Sequence, residues 1–108
     1  MTVIAPQEGQ LEPGITEFLK CHGAEAAFQT VRELVRACFP QYCAIEVRLV
    51  ADPDEEDRRW VVWRVLLPAS CTAEQLRVQR LRYYEELVSR LPFTYRQLFG
   101  LVIGFVPE

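Results

Sequence analysis

Between residues 24 and 39 the apolar side chains return every three or four positions. Ala24, Ala27, Phe28, Val31, Leu34, Val35 and Cys38 form one stripe, with Glu25, Gln29, Arg32, Glu33 and Arg36 opposite. That spacing predicts an amphipathic helix packed on one side. Pro40 ends it, because proline disfavours helical geometry in the residue before it. From residue 43 the period changes to two. Ile45, Val47 and Leu49 point one way, and Glu46, Arg48 and Val50 the other. An acidic run, Asp52-Pro53-Asp54-Glu55-Glu56-Asp57, then separates this strand from a second over residues 58–67, whose Val61, Trp63, Val65 and Leu67 are all apolar. Two alternating runs joined by a short polar loop predict a hairpin.

Charge selects its register. Keeping both core faces together allows only every second alignment. Pairing Leu49 with Val61 puts Glu46 opposite Arg64 and Val50 opposite Trp60. Slipping by two in one direction would set Arg48 against Arg64, two like charges. Slipping the other way sets Arg48 against Trp60, and the first register is preferred.

Thr72-Ala73-Glu74-Gln75 has capping-box spacing, so a second helix is expected to about Leu91, stopped by Pro92. Its apolar side is read as Leu76, Tyr83, Tyr84, Leu87 and Leu91. Residues 95–106 read as a last strand, with Phe99, Leu101, Ile103 and Phe105 in phase. Before all this, residues 1–14 carry Pro6, Gly9, Pro13 and Gly14 without periodicity and read as a loose arm. A short amphipathic helix is expected over 15–22, with Gly23 as its stop. The division expected is therefore an arm over 1–23 and one domain over 24–108.

The order helix, strand, strand, helix, strand predicts an α+β two-layer sandwich. Its three-stranded, mainly antiparallel sheet carries two helices on one face. Right-handed crossovers and the preference for antiparallel neighbours favour the spatial order third–first–second.

The motifs Phe39-Pro40, Ile45-Glu46-Val47, Asp52-Pro53-Asp54-Glu55, Trp60-Val61-Val62 and Tyr84-Glu85-Glu86-Leu87 resemble those of small uncharacterised bacterial proteins with this helix–hairpin–helix–strand layout. The resemblance spans residues 39–87. It implies the fold and no particular activity.

Composition narrows the function. The chain has 108 residues, half of them apolar and a quarter charged, which suits one globular core. No apolar run reaches membrane-spanning length, and the first residues lack the pattern of a secretory signal, so a cytoplasmic location is expected. Net charge is −3, which argues against nucleic acid, whose binders usually carry a basic excess. Lys20 apart, every cation is arginine. A nucleic-acid reading would use Arg77, Arg80, Arg82 and Tyr83 or Tyr84, against the nearby Glu85 and Glu86.

Four cysteines, Cys21, Cys38, Cys43 and Cys71, form no Cys-x-x-Cys pair, and His22 is the single histidine. No metal or cofactor set is read from them. The acidic loop lacks the glycine and terminal glutamate of a calcium loop: counted from Asp52, those places hold Asp57 and Trp63. Cys21 or Cys38 with His22 lacks the third group a nucleophilic site needs. A ligand pocket near Cys38, Cys43 and Tyr84 remains a third reading. Arg80 falls inside the second helix's apolar side, where its stem can cover apolar surface while the guanidinium reaches water or a partner's acid.

The sharpest clue is the sheet face turned away from the helices. Val50, Trp60, Val62, Leu66, Leu98 and Val102 would lie on it, broken by Glu46, Arg48 and Arg64, with Gly100 and Gly104 leaving a flat lane. Val50, Trp60, Val62, Arg64, Leu66 and Val102 are the expected interface, and Arg77 and Arg80 the expected partner-facing cations. The expectation is a non-enzymatic association module that binds a protein partner or a second copy. The alternative is that Ile15, Phe18 and Leu19 fold back and cover that face.

Overall fold

The computed structural model describes residues 7–8, 11–55 and 57–107. Its elements run β1 (Gln7–Glu8), α1 (Pro13–His22), α2 (Glu25–Cys38), β2 (Ala44–Ala51), β3 (Arg59–Pro68), α3 (Ala73–Arg90), α4 (Phe93–Arg96) and β4 (Phe99–Val106). The class is α+β, with a sheet backed by helices.

The apolar stripe of α2 is buried, from Ala27 and Phe28 to Cys38. Its Phe28 ring lies 4.9 Å from Trp63 and 6.4 Å from Phe99. On β3 the inward residues Val61, Trp63, Val65 and Leu67 are at most 1% exposed. β2 and β3 pair antiparallel with Leu49 opposite Val61, Glu46 opposite Arg64 and Val50 opposite Trp60. That is the register the charge argument selected, and the Arg64–Glu46 ion pair closes at 3.5 Å.

Strand order departs from expectation. The sheet runs β1-β2-β3-β4, so β4 lies beside β3 and parallel to it, while β1 lies parallel to β2. The sheet is mixed, with one antiparallel pair between two parallel ones. The physical reason is in the side chains. From Trp60 to Leu67 β3 is apolar on both phases apart from Arg64, which suits a strand with neighbours on both sides, whereas Glu46 and Arg48 suit β2 to an outer position.

Three boundaries also differ. Part of the expected arm is built into the fold: Gln7–Glu8 forms β1, and Pro13 and Gly14 open α1. Residues 1–6 and 9–10 of that arm lie outside the described residues. Residues 93–96, read as strand, make the single turn α4, because Pro92 caps a new turn as well as ending α3. Leu98, expected on the outer face, precedes β4 and is buried.

α3 begins with the capping box: Gln75 N donates to Thr72 Oγ1 at 3.1 Å, and Thr72 N donates to Gln75 Oε1 at 2.9 Å. It packs beside α2. Tyr83 meets Phe39 at 6.1 Å between ring centres, and Gln79 exchanges amide hydrogen bonds with Gln41 at 2.8 and 2.9 Å. Only Tyr83 and Leu87 of α3 are buried.

Candidate functional site

The side chains of β2, β3 and β4 alternate, and the alternation separates two environments. The phase that contains Val61, Trp63, Val65, Leu67 and Ile45 is buried beneath the helices. The other phase contains Val50, Trp60, Val62, Leu66, Val102, Glu46, Arg48 and Arg64. All of these are half-buried or exposed, and Val102 is 49% exposed.

α1 does not cover that outer phase. Ile15 and Leu19 are buried in the same core as Phe28 and Trp63, and Phe18 packs against it. Leu49 Cδ2, on the inward phase of β2, lies 3.6 Å from the point where a Cβ on Gly14 would sit. Ile15 and Leu19 are one helical turn apart, so both face the core together, and Gly23 in the left-handed conformation at φ 59° turns the chain straight into α2. The helix therefore closes the β2 side of the core. The covering alternative is corrected: among the described residues, no helix lies on the outer phase.

The glycine lane is also different from the expectation. A Cβ built on Gly100 would stand 3.7 Å from both Trp60 Cδ1 and Val62 Cγ2. One on Gly104 would stand 2.8 Å from Leu66 Cδ2. Trp60, Val62 and Leu66 lean across the glycines of β4 and fill the lane themselves. The result is a low apolar surface from Trp60 to Leu66, crossed by the Arg64–Glu46 pair, both of whose side chains stay exposed.

The two expected cations on α3 behave differently. Arg77 is held by Glu74 in its own first turn, at 2.7 and 3.2 Å, and this bond raises its pKa. Arg80 is exposed and lines an open groove of about 410 Å³ with Ala73, Leu76, Arg77, Leu81 and Tyr84. Tyr84, read as part of the packed side, is 41% exposed. Val78, Leu81 and Val88 are 52%, 54% and 59% exposed. Sequence reading missed this second apolar side. Its signal was present, since apolar residues recur at two separate angles around one helix and one neighbouring layer can bury only one of them.

The other candidate chemistry is scattered. Cys21 and His22 are exposed at the end of α1, and the His22 ring lies 4.4 Å from that of Phe18, tilted by 48°. Cys38 is buried at the far end of α2, roughly 20 Å along the helix axis. Burial pushes the Cys38 thiol above its ordinary value, with Arg82 opposing and Glu86 adding to the shift. Tyr84 lines the open groove on α3, whose walls do not include the buried Cys38. In the acidic loop the Asp54 amide donates to Asp52 Oδ1 at 2.8 Å, and the Asp52 and Arg58 amides close the turn on backbone oxygens. Among the described residues no three His, Cys, Asp or Glu side chains are placed to hold a metal ion, and no helix is long and apolar enough to cross a membrane.

No family model matches this chain, and no curated protein does. A solved structure concerned with the mode of action of CzrB, a proposed zinc transporter, is similar over 92% of this chain and 99% of that one. The TM-score is 0.38 and the identity 18%. A likeness that loose supports no argument about this chain.

Proposed function

We propose that this chain is a protein-association module whose contact surface is the outer face of the sheet, centred on Trp60, Val62, Arg64, Leu66 and Val102, with Val50 at its margin. One observation carries the reading: the inward residues of β3 are sealed, while outward Trp60, Val62 and Leu66 are only half-buried and Arg64 between them is exposed. Burying about 200 Å² of apolar surface there would contribute about 5 kcal/mol. That only matches the low end of the cost of association, about 4 kcal/mol or more. Tryptophan and arginine, both present on this face, are among the residue types that most often supply the remainder. The four unpaired thiols suit a reducing setting, which supports a cytoplasmic location.

The test is the mass in solution by size exclusion with light scattering. Wild type should run heavier than one copy or in a complex, and Trp60→Glu or Val62→Glu should lower that mass by the copies or partner this face holds, while circular dichroism stays unchanged. A wild type that remains a single copy at high concentration, or a mass indifferent to both variants, removes the sheet face as the contact surface.

A further inference from the structure

We infer that the open edge of β4 is a second, separate contact, and that its occupant is the β4 edge of another copy, paired antiparallel about a two-fold axis at Val102. Backbone groups along one edge make this contact, whether or not the outer face is used.

Val61 N donates to Leu98 O at 2.8 Å, and Ala69 N donates to Val106 O at 3.2 Å. Residues 98, 100, 102, 104 and 106 therefore turn their backbone groups toward β3. Neighbouring residues of a strand point theirs oppositely. Phe99, Leu101, Ile103 and Phe105 thus present N–H and C=O groups at an edge that no strand pairs among the described residues. A row of such groups is a template for another strand.

Such edges are usually blunted by charge, proline, a bulge or shortness. β4 is eight residues long, Phe99 to Val106, and has no charged residue or proline. The other side of the sheet shows the contrast, since β2 carries Glu46 and Arg48 beyond the two residues that β1 covers. Cover also thins along β4. Phe99 is 9% exposed, whereas Phe105 on the same phase is 52% exposed and Val102 on the outer phase 49%. Apolar surface is therefore open above and below the same unpaired backbone.

The strand is complementary to itself. With Val102 opposite Val102, Leu101 faces Ile103, Phe99 faces Phe105 and Gly100 faces Gly104. No charge meets a charge. Leu101 with Ile103 and Phe99 with Phe105 are then the hydrogen-bonded pairs, giving about eight new bonds in all. Val102 is a non-hydrogen-bonded pair, its Cα atoms about 4.5 Å apart. The sheets of the two copies would run on as one, with both outer faces on the same side.

The experiment uses the full chain carrying Trp60→Glu, which removes the sheet-face contact and isolates the edge. Light scattering at high micromolar concentration should still give two copies. Adding Ile103→Pro removes an outward N–H and leaves the β3 ladder intact, and adding Val102→Lys sets two like charges face to face. Each should give one copy with an unchanged circular dichroism spectrum, a dissociation constant at least about tenfold weaker. If the proline variant fails to fold, the lysine variant decides alone, because Val102 is half exposed. A Trp60→Glu protein of single-copy mass overturns the edge contact, as does a two-copy mass that survives in the folded edge variants. The sheet-face reading fails on a different result, namely wild type and Trp60→Glu having equal mass.

Discussion

Gly23 holds φ at 59° between α1 and α2, and its amide reaches back to the Leu19 and Lys20 carbonyls. Nothing lies within 4 Å of a Cβ placed there, so a side chain meets no clash from neighbours. The backbone itself is the obstacle. Gly23→Ala should lower the urea midpoint by an amount equal to about 1 kcal/mol, the left-handed penalty of a residue with a Cβ. This stop was legible in the sequence, because a glycine closing an apolar period has few other reasons to stand there. Gly104 was not. A glycine in a strand declares a missing Cβ without saying which neighbour takes the room, and Leu66, two positions beyond Arg64 on the adjacent strand, takes it. Trp60 shows the same limit. Its phase could be read, but the degree to which neighbours shelter it could not.

Among the elements, α3 depends most on its start. Few of its residues are buried, so local stabilisation weighs more in it than in α2. Thr72→Ala breaks half of the capping box and should cost about 1 kcal/mol in thermal or urea unfolding, while Thr72→Ser should cost much less. The hairpin register was fully readable, since parity leaves few alignments and Glu46 with Arg64 distinguishes them. Strand order was not, because the general preference for antiparallel neighbours points one way and the apolar character of β3 on both phases the other. α4 escaped notice for another reason: Pro92 both ends one helix and caps the next turn.

At the scale of the whole molecule, the α+β class and a sheet face that no helix covers among the described residues followed from periodicity, whereas the seat of α1 required the structure. Stability of the whole fold is tied to groups that must stay neutral. Tyr83 is 1% exposed, and burial, with smaller contributions from Tyr84 and Cys38, holds its pKa well above the ordinary value for a phenol. Cys38 is raised in the same direction. A raised pKa means that the unfolded chain loses its proton first, so the native state binds more protons at alkaline pH. The stabilisation is complete below the ordinary thiol and phenol values, about 8.5 and 10, and declines as pH rises beyond them. Urea midpoints should therefore fall from about pH 9 upward, and Tyr83→Phe should flatten the decline above about pH 10. A midpoint that is level to pH 11 would contradict the burial of both groups.

The parallel pairing of β3 with β4 also has a consequence in time. Val61 and its partner Phe99 are 99 − 61 = 38 positions apart. A ribosome adding about 5–20 residues per second makes the second strand roughly two to eight seconds after the first. Throughout that interval the strand destined for the middle of the sheet has one flank unclaimed. The nascent hairpin is then the stage most open to misassembly with its neighbours on the same message.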